Sequence, residues 1–293
     1  WKYNSDTEIV FKLRDDVKFH DGSPLTANDV AFSINRIINP AFASPQLGQF
    51  NKIVSAEATG EHEVTVKTDG AYPALLAQLV KLSIVPEKIV EAKGDDAFNA
   101  APVGSGPYKF VNWQRGVSVA LERNDDYWGD KGAFKTAEFR AVPDAATRIA
   151  NLQSGTTDLA VGLDADLAAQ IEGSANAKPL SVLTERVGYV KLNPNLPPLD
   201  DKRVREAVAR AIDKEAITEG LLGGVDQPVA QMVTPSHFGY VEGIEGYAYD
   251  LDKAKQLIKD AGATGKAVSF ATAPTFDQRI VQEVQNRTGT IID

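Results

Sequence analysis

Phe11-Lys12-Leu13-Arg14-Asp15-Asp16-Val17-Lys18-Phe19-His20-Asp21-Gly22-Ser23-Pro24-Leu25-Thr26-Ala27-Asn28-Asp29-Val30 packs a strand end, a turn and a helix start into one short run. Glu8 to Leu13 is rich in strand formers. Asp21-Gly22-Ser23-Pro24 is a turn cluster, since glycine frees φ, proline fixes it and the Asp and Ser side chains bond back to nearby backbone. Thr26 stands three residues before Asp29, the spacing at which an acidic N3 side chain reaches back to the cap. A helix should start there, with Val30, Ile34, Ile37 and Ile38 on its apolar face, and stop before Pro40. Further on, Val64 and Val66 alternate with polar residues, the period of a half-buried strand. Residues 71–92 read as helical or mixed, with Leu75, Leu76, Leu79 and Leu82 as core candidates.

Toward the C-terminus the alternation continues. Pro102 to Pro107 punctuates the chain with Gly104-Ser105-Gly106, whose glycines permit backbone shapes closed to other residues. Tyr108–Trp113 and Val117–Leu121 read as two strands joined by a turn at Arg115-Gly116. Ala145 to Leu152 reads as a helix ended by Ser154-Gly155, and Asp158 to Gly162 as a short buried strand. From Asp200 to Leu222 the spacing predicts two helices meeting near Asp213, with Val204, Val208, Ala211 and Ile212 buried and Asp213 as the second N-cap. Val225 to Tyr249 is loop-like and glycine-punctuated, a candidate lobe boundary. Asp250 caps a helix over Leu251–Ala261; Ala267–Ala271 reads as a strand and Phe276–Gln285 as a helix. Trp1 in place of an initiator Met, and Thr290-Ile291-Ile292-Asp293 as a strand start, make both ends read as cut.

At 293 residues, one large domain or two ordinary ones is the prior, and the chain can bury a substantial core. Its net charge of −9 argues against nucleic acid or an anionic membrane as the main partner. The absence of cysteine removes disulfides, thiolate metal sites and Cys nucleophiles. His20, His62 and His237 are scattered without metal-ligand spacing. His20 sits in the turn and reads as a structural hydrogen-bonding residue. No serine nucleophile elbow and no phosphate-binding Gly-rich loop appears. Asp95-Asp96, Asp125-Asp126 and Asp200-Asp201 are adjacent pairs whose side chains point apart, so they read as caps or solvated charges. No catalytic constellation is visible, and no cofactor is expected.

Three sets of segments, in order, resemble the family-5 extracellular solute-binding proteins. The first is Phe11 to Val30, with Asp16 where that family often has Gly. The second is Val103-Gly104-Ser105-Gly106-Pro107-Tyr108-Lys109-Phe110, followed by Leu121-Glu122-Arg123-Asn124-Asp125-Asp126-Tyr127-Trp128-Gly129. The third is Leu192-Asn193 with Pro197-Pro198-Leu199-Asp200-Asp201-Lys202-Arg203-Val204-Arg205-Glu206-Ala207, continuing through Ala211 to Ile217.

This resemblance implies an α/β, two-lobed, periplasmic binding protein-like clamp of the large peptide-binding subclass, here truncated. Residues 1–102 would be a peripheral subdomain of lobe I, 103–232 its main α/β part, and 233–293 the start of lobe II. The function implied is capture of a small solute, a short peptide first and an opine or similar ligand second, by hinge closure. The receptor would act outside the cytoplasm, periplasmic or lipid-anchored. It would hand ligand to the permease subunits of an ABC importer, as a monomer and without chemistry. A sensory or chaperone module on the same clamp, and an α/β enzyme, are the alternatives. Ligands in open α/β sheets bind beyond strand ends, which points to Gly104, Ser105, Gly106, Tyr108, Gly162, Tyr189 and Asn193. Tyr127 and Trp128 read as packing anchors or as a stacking platform, and Arg123 as a surface ion pair or a carboxylate partner.

Overall fold

The structure, a computed structural model, describes residues 1–273 and 276–292. It forms two compact units, Trp1–Pro143 and Asp144–Asp293.

The first unit opens with a four-stranded antiparallel sheet of order β1-β2-β4-β3, where β1 is Lys2–Ser5, β2 Glu8–Lys12, β3 Ile53–Gly60 and β4 Glu63–Thr68. The alternation expected around Val64 and Val66 is present. Val66 pairs with Ile9 and Val64 with Phe11, and both valines are fully buried. Helix α1, Ala27–Ile38, covers that face with Ala27, Ala31 and Ile34, while Val30, Ile37 and Ile38 pack around them. Burying such aliphatic side chains stabilises by roughly 1.5–3 kcal/mol for each large one. Phe50, ending α2 (Leu47–Phe50), and Leu75, opening α3 (Leu75–Leu79), close the cluster. Asn35 clamps the outer strand: its amide donates to the Ala56 carbonyl at 2.8 Å and accepts from the Ala56 N–H at 3.0 Å.

Asp29 is buried and serves two helices. It accepts from the N–H of Thr26 at 2.9 Å and from its hydroxyl at 2.7 Å, the reach-back expected from the spacing. Its other oxygen accepts from the N–H of Glu87, at the first turn of α4, Glu87–Lys93. After α5, Asp95–Ala100, comes a three-stranded antiparallel sheet of β5 (Tyr108–Gln114), β6 (Ser118–Arg123) and β7 (Thr136–Arg140).

The second unit is built from helices, and no paired strand occurs among its described residues. It runs α6 (Ala145–Gln153), α7 (Ala165–Ala169), α8 (Lys202–Ala211), α9 (Lys214–Gly220), α10 (Leu251–Asp260) and α11 (Gln278–Ile292). Val204, Ala207, Val208 and Ala211 of α8 share one core with Ala254, Leu257 and Ile258 of α10 and Ile291 and Ile292 of α11. The break between α8 and α9 falls at Ile212–Asp213 as expected, and Asp213 Oδ1 accepts from the Ala216 N–H at 3.0 Å. Asp250 caps α10 through the Lys253 N–H. Ile212 is only partly buried against the cluster.

Three expected strands are not strands. Asp158–Gly162 is irregular, and Leu159 and Val161 are 77% and 71% exposed rather than buried. Ala267–Ala271 is likewise unpaired, although Val268 packs against the helical core. In both cases the residue types suit a strand, but among the described residues no neighbouring segment completes a ladder. Thr290-Ile291-Ile292 is the last turn of α11, which runs well past Gln285, while Asp293 lies outside the described residues. β-branched residues beside Gly289 favour a strand by propensity; burial of Ile291 and Ile292 against α8 and α10 outweighs it.

Candidate functional site

The turn after β2 is a tight reversal. Phe19 donates to the Ser23 carbonyl at 2.8 Å, and Leu25 to the Val17 carbonyl at 3.0 Å. Gly22 takes a φ of +87°, a conformation open to glycine at little cost. Asp21 accepts from the Ser23 N–H and hydroxyl. Its partial burial works to raise its pKa, but those hydrogen bonds win and hold the carboxyl below the usual range.

This reversal delivers His20 to Gly104-Ser105-Gly106. The His20 N–H donates to the Gly104 carbonyl at 2.8 Å. The ring Nδ1 accepts from the Gly104 N–H at 3.3 Å, so Nε2 carries the ring proton and donates to the Gly106 carbonyl at 3.0 Å. Asn124, 3% exposed, adds a second donor to the same Gly106 carbonyl at 3.1 Å. Its backbone N–H donates to the Pro107 carbonyl at 2.9 Å. Two sequence segments far apart in the chain thus hold a third. His20 has the structural hydrogen-bonding role expected for it. Asn124 was not singled out; the signal was a short amide side chain between the end of a strand and a turn.

Neither Gly104 nor Gly106 adopts a positive φ, so the expected reason for glycine there does not hold. An added Cβ at Gly106 would meet nothing within 4 Å, and at Gly104 only the His20 ring, at 3.5 Å. Tyr108 opens β5, and its hydroxyl donates to the Phe134 carbonyl at 3.0 Å. Arg123 ion-pairs with Asp125 at 2.7 Å and holds that carboxyl below its usual range. Trp128 packs against Tyr127, ring centroids 5.0 Å apart, with the Arg14 guanidinium 4.9 Å from the Trp128 ring. These aromatics are therefore already engaged within the first unit.

The other expected site residues lie in the second unit. Gly162, with φ +70°, accepts from Arg148 of α6 at 2.8 Å. Tyr189 is 62% exposed. Asn193 makes a local turn, its side-chain oxygen accepting from the Asn195 N–H at 3.1 Å. No hydrogen bond joins these three to one another among the described residues. The segment between Tyr189 and Asn193 borders a cavity of about 650 Å³ that lies between residues 190–192, residues 266–270 and α11, with Leu192, Val208, Val268 and Ile292 among its lining; none of the three expected residues lines it. That size falls in the ordinary range for small-ligand sites.

Among the described residues no group of three His, Asp or Glu is placed to hold a metal ion. No helix there is long and apolar enough to cross a membrane.

Comparison with known proteins gives one answer. The family model described as bacterial extracellular solute-binding proteins, family 5 Middle, matches residues 1–289. The oligopeptide-binding protein AppA of Bacillus subtilis is 30% identical over 263 residues, covering 86% of this chain and 48% of AppA. Among solved structures, DppA from Helicobacter pylori in complex with peptide STSA superposes with a TM-score of 0.80 at 26% identity, covering 99% of this chain and 61% of that one. NikZ from Campylobacter jejuni in complex with Ni(L-His) superposes at 0.75 and 29% identity, covering 88% and 52%. The chain spans about half the length of the curated relatives it matches.

Proposed function

The chain belongs to the bacterial extracellular solute-binding proteins of family 5, and on that premise we propose that it is part of the substrate-binding component of an ABC importer, with a short peptide as ligand. The family match over residues 1–289 carries the reading, and the peptide-binding relatives supply the ligand class. Family and relatives are binding proteins rather than enzymes, and periplasmic or extracellular. The receptor makes and breaks no bond. It works outside the cytoplasm as a monomer, closes two lobes about a hinge on its ligand, and delivers it to permease subunits. In that clamp residues 1–102 are the peripheral subdomain of lobe I, and lobe II starts before α8 rather than at 233, because α8 shares one core with α10 and α11. Gly104, Ser105, Gly106 and Tyr108 in the first unit, and Gly162, Tyr189 and Asn193 in the second, are the proposed ligand-contacting residues.

Calorimetry of the full-length receptor against peptides of increasing length, opines and nickel–histidine tests this. A peptide that binds should also raise the unfolding free energy by about 2.7 kcal/mol at a hundredfold excess over Kd. Heat and stabilisation with an opine or nickel–histidine, and none with any peptide, would refute the peptide assignment.

A further inference from the structure

We infer that His20 and Asn124 are positioning residues that hold the main chain of Ser105 ready for ligand, an inference that rests on the binding reading above. The clamps fall on both sides of Ser105. Gly104 is fixed through its N–H and its carbonyl, both to His20. The Gly106 carbonyl is fixed twice, by His20 Nε2 and by the Asn124 amide. Ser105 itself is half-buried, and it hydrogen-bonds with no other described residue. The Ser105 N–H and carbonyl lie in two successive peptide units and have no protein partner among the described residues, so they are left to water or to a ligand unless the chain relaxes to pair them. Here the neighbours cannot relax, because four hydrogen bonds from two other segments hold them. The N–H and carbonyl of Ser105 are thus a preorganised donor and acceptor. The matching chemistry is another main chain: an extended peptide carries the complementary acceptor and donor whatever its side chains. Preorganisation converts a cost of binding into one met on folding.

The clamp could instead be a fold brace only, and the variants separate the two roles. His20→Phe keeps a ring but loses both ring hydrogen bonds. His20→Gln restores one acceptor and one donor on a single planar group. Ser33→Ala is a stability control elsewhere in the first unit: it removes a buried hydroxyl that accepts from the Val85 N–H at 2.9 Å and donates to the Asp29 carbonyl. Each is made in the full-length receptor. Three quantities are measured: melting temperature, hydrogen exchange of Val103–Tyr108, and calorimetric affinity for trialanine.

His20→Phe should exchange the segment about tenfold faster and bind trialanine about tenfold more weakly, the scale of one lost hydrogen bond. His20→Gln should recover both to within about threefold. Ser33→Ala should melt lower while keeping exchange of this segment and trialanine affinity. The inference is overturned if His20→Phe binds trialanine as the wild type does. It is overturned equally if its segment exchanges at the wild-type rate, or if Ser33→Ala weakens binding as much at the same loss of melting temperature. A wild-type receptor that binds no trialanine or other peptide, while His20→Phe still loosens the segment, sinks the peptide reading and leaves the clamp standing.

Discussion

Gly132→Ala is a substitution whose effect should reverse sign with the identity of one neighbour. Gly132 lies between β6 and β7 and has no positive φ, so its backbone accepts alanine. Its added Cβ would fall 2.6 Å from both Cε2 and Cζ of Tyr108, and closer still to the hydroxyl oxygen. Those atoms are the far end of a side chain that can swing, so the backbone need not move. Swinging forfeits the 3.0 Å bond to the Phe134 carbonyl, a loss of about 1 kcal/mol. Displacing the ring adds a cost near the low end of overpacking, about 1 kcal/mol. Against this, alanine restricts the unfolded chain by about 0.4–1 kcal/mol in favour of the fold. The net expectation is destabilisation by about 1–2 kcal/mol. In a Tyr108→Leu background the clashing atoms are gone, and Gly132→Ala should stabilise by about 0.4–1 kcal/mol. Urea unfolding followed by tryptophan fluorescence reads this selectively, since Trp1, Trp113 and Trp128 all lie in the first unit. Equal destabilisation in both backgrounds would refute the packing argument.

Two further outcomes follow from the helix caps and the charged side chains. Asp213→Ala removes the acceptor for the Ala216 N–H and should cost about 1 kcal/mol, measured by urea unfolding followed by far-UV dichroism; an unchanged midpoint would mean that the junction of α8 and α9 does not depend on its cap. Stability should fall as pH drops below about 4, the ordinary carboxylate range. Asp201, held down by its hydrogen bond to Arg203, Asp125 by Arg123 and Asp144 by Thr147 all have lowered folded values. The unfolded chain therefore takes up protons first, and the contribution present at neutral pH is lost as pH falls through the folded values. Glu87 works the other way: burial, and then Glu91 and Asp29, raise its value, so protonation relieves a cost. Asp201→Asn should flatten the acid loss in a urea titration against pH, and an undiminished slope would remove that pair from the account.

Most of the fold was legible where the signal is local. Thr26 and Asp29, Asp213 and Asp250 marked helix starts because a capping side chain must stand at fixed spacing from the N–H it serves. Val64 and Val66 marked a strand because it has partners on both sides. Asp158–Gly162 and Ala267–Ala271 carry similar residue types and form no strand. Alternation reports which side chains can face a core; a ladder also needs a second segment within hydrogen-bonding reach. The extent of α11 was hidden for the converse reason. Nothing within Thr288–Ile292 favours a helix, and the deciding term is burial of Ile291 and Ile292 against helices distant in sequence.

The candidate site divides along the same line. A turn cluster announced where the chain reverses at His20, but its hydrogen bonds to Gly104 and Gly106 span more than eighty residues and leave no mark on local composition. What made those segments recognisable is their work on the backbone. His20 and Asn124 clamp a loop, and Gly129 and Gly132 leave room for the rings of Tyr127 and Tyr108. Residues with such duties say how a binding surface is held, and little about what it holds. The comparisons agree: a peptide complex and a nickel–histidine complex superpose on this chain with TM-scores of 0.80 and 0.75, so one scaffold carries different cargo. In the proposal made above, the main-chain groups of Ser105 would match a peptide backbone without reading its side chains. If they are the anchor, replacing trialanine by tripeptides with other side chains should leave their part of the affinity unchanged. Discrimination among peptides would then come from side chains elsewhere on the receptor.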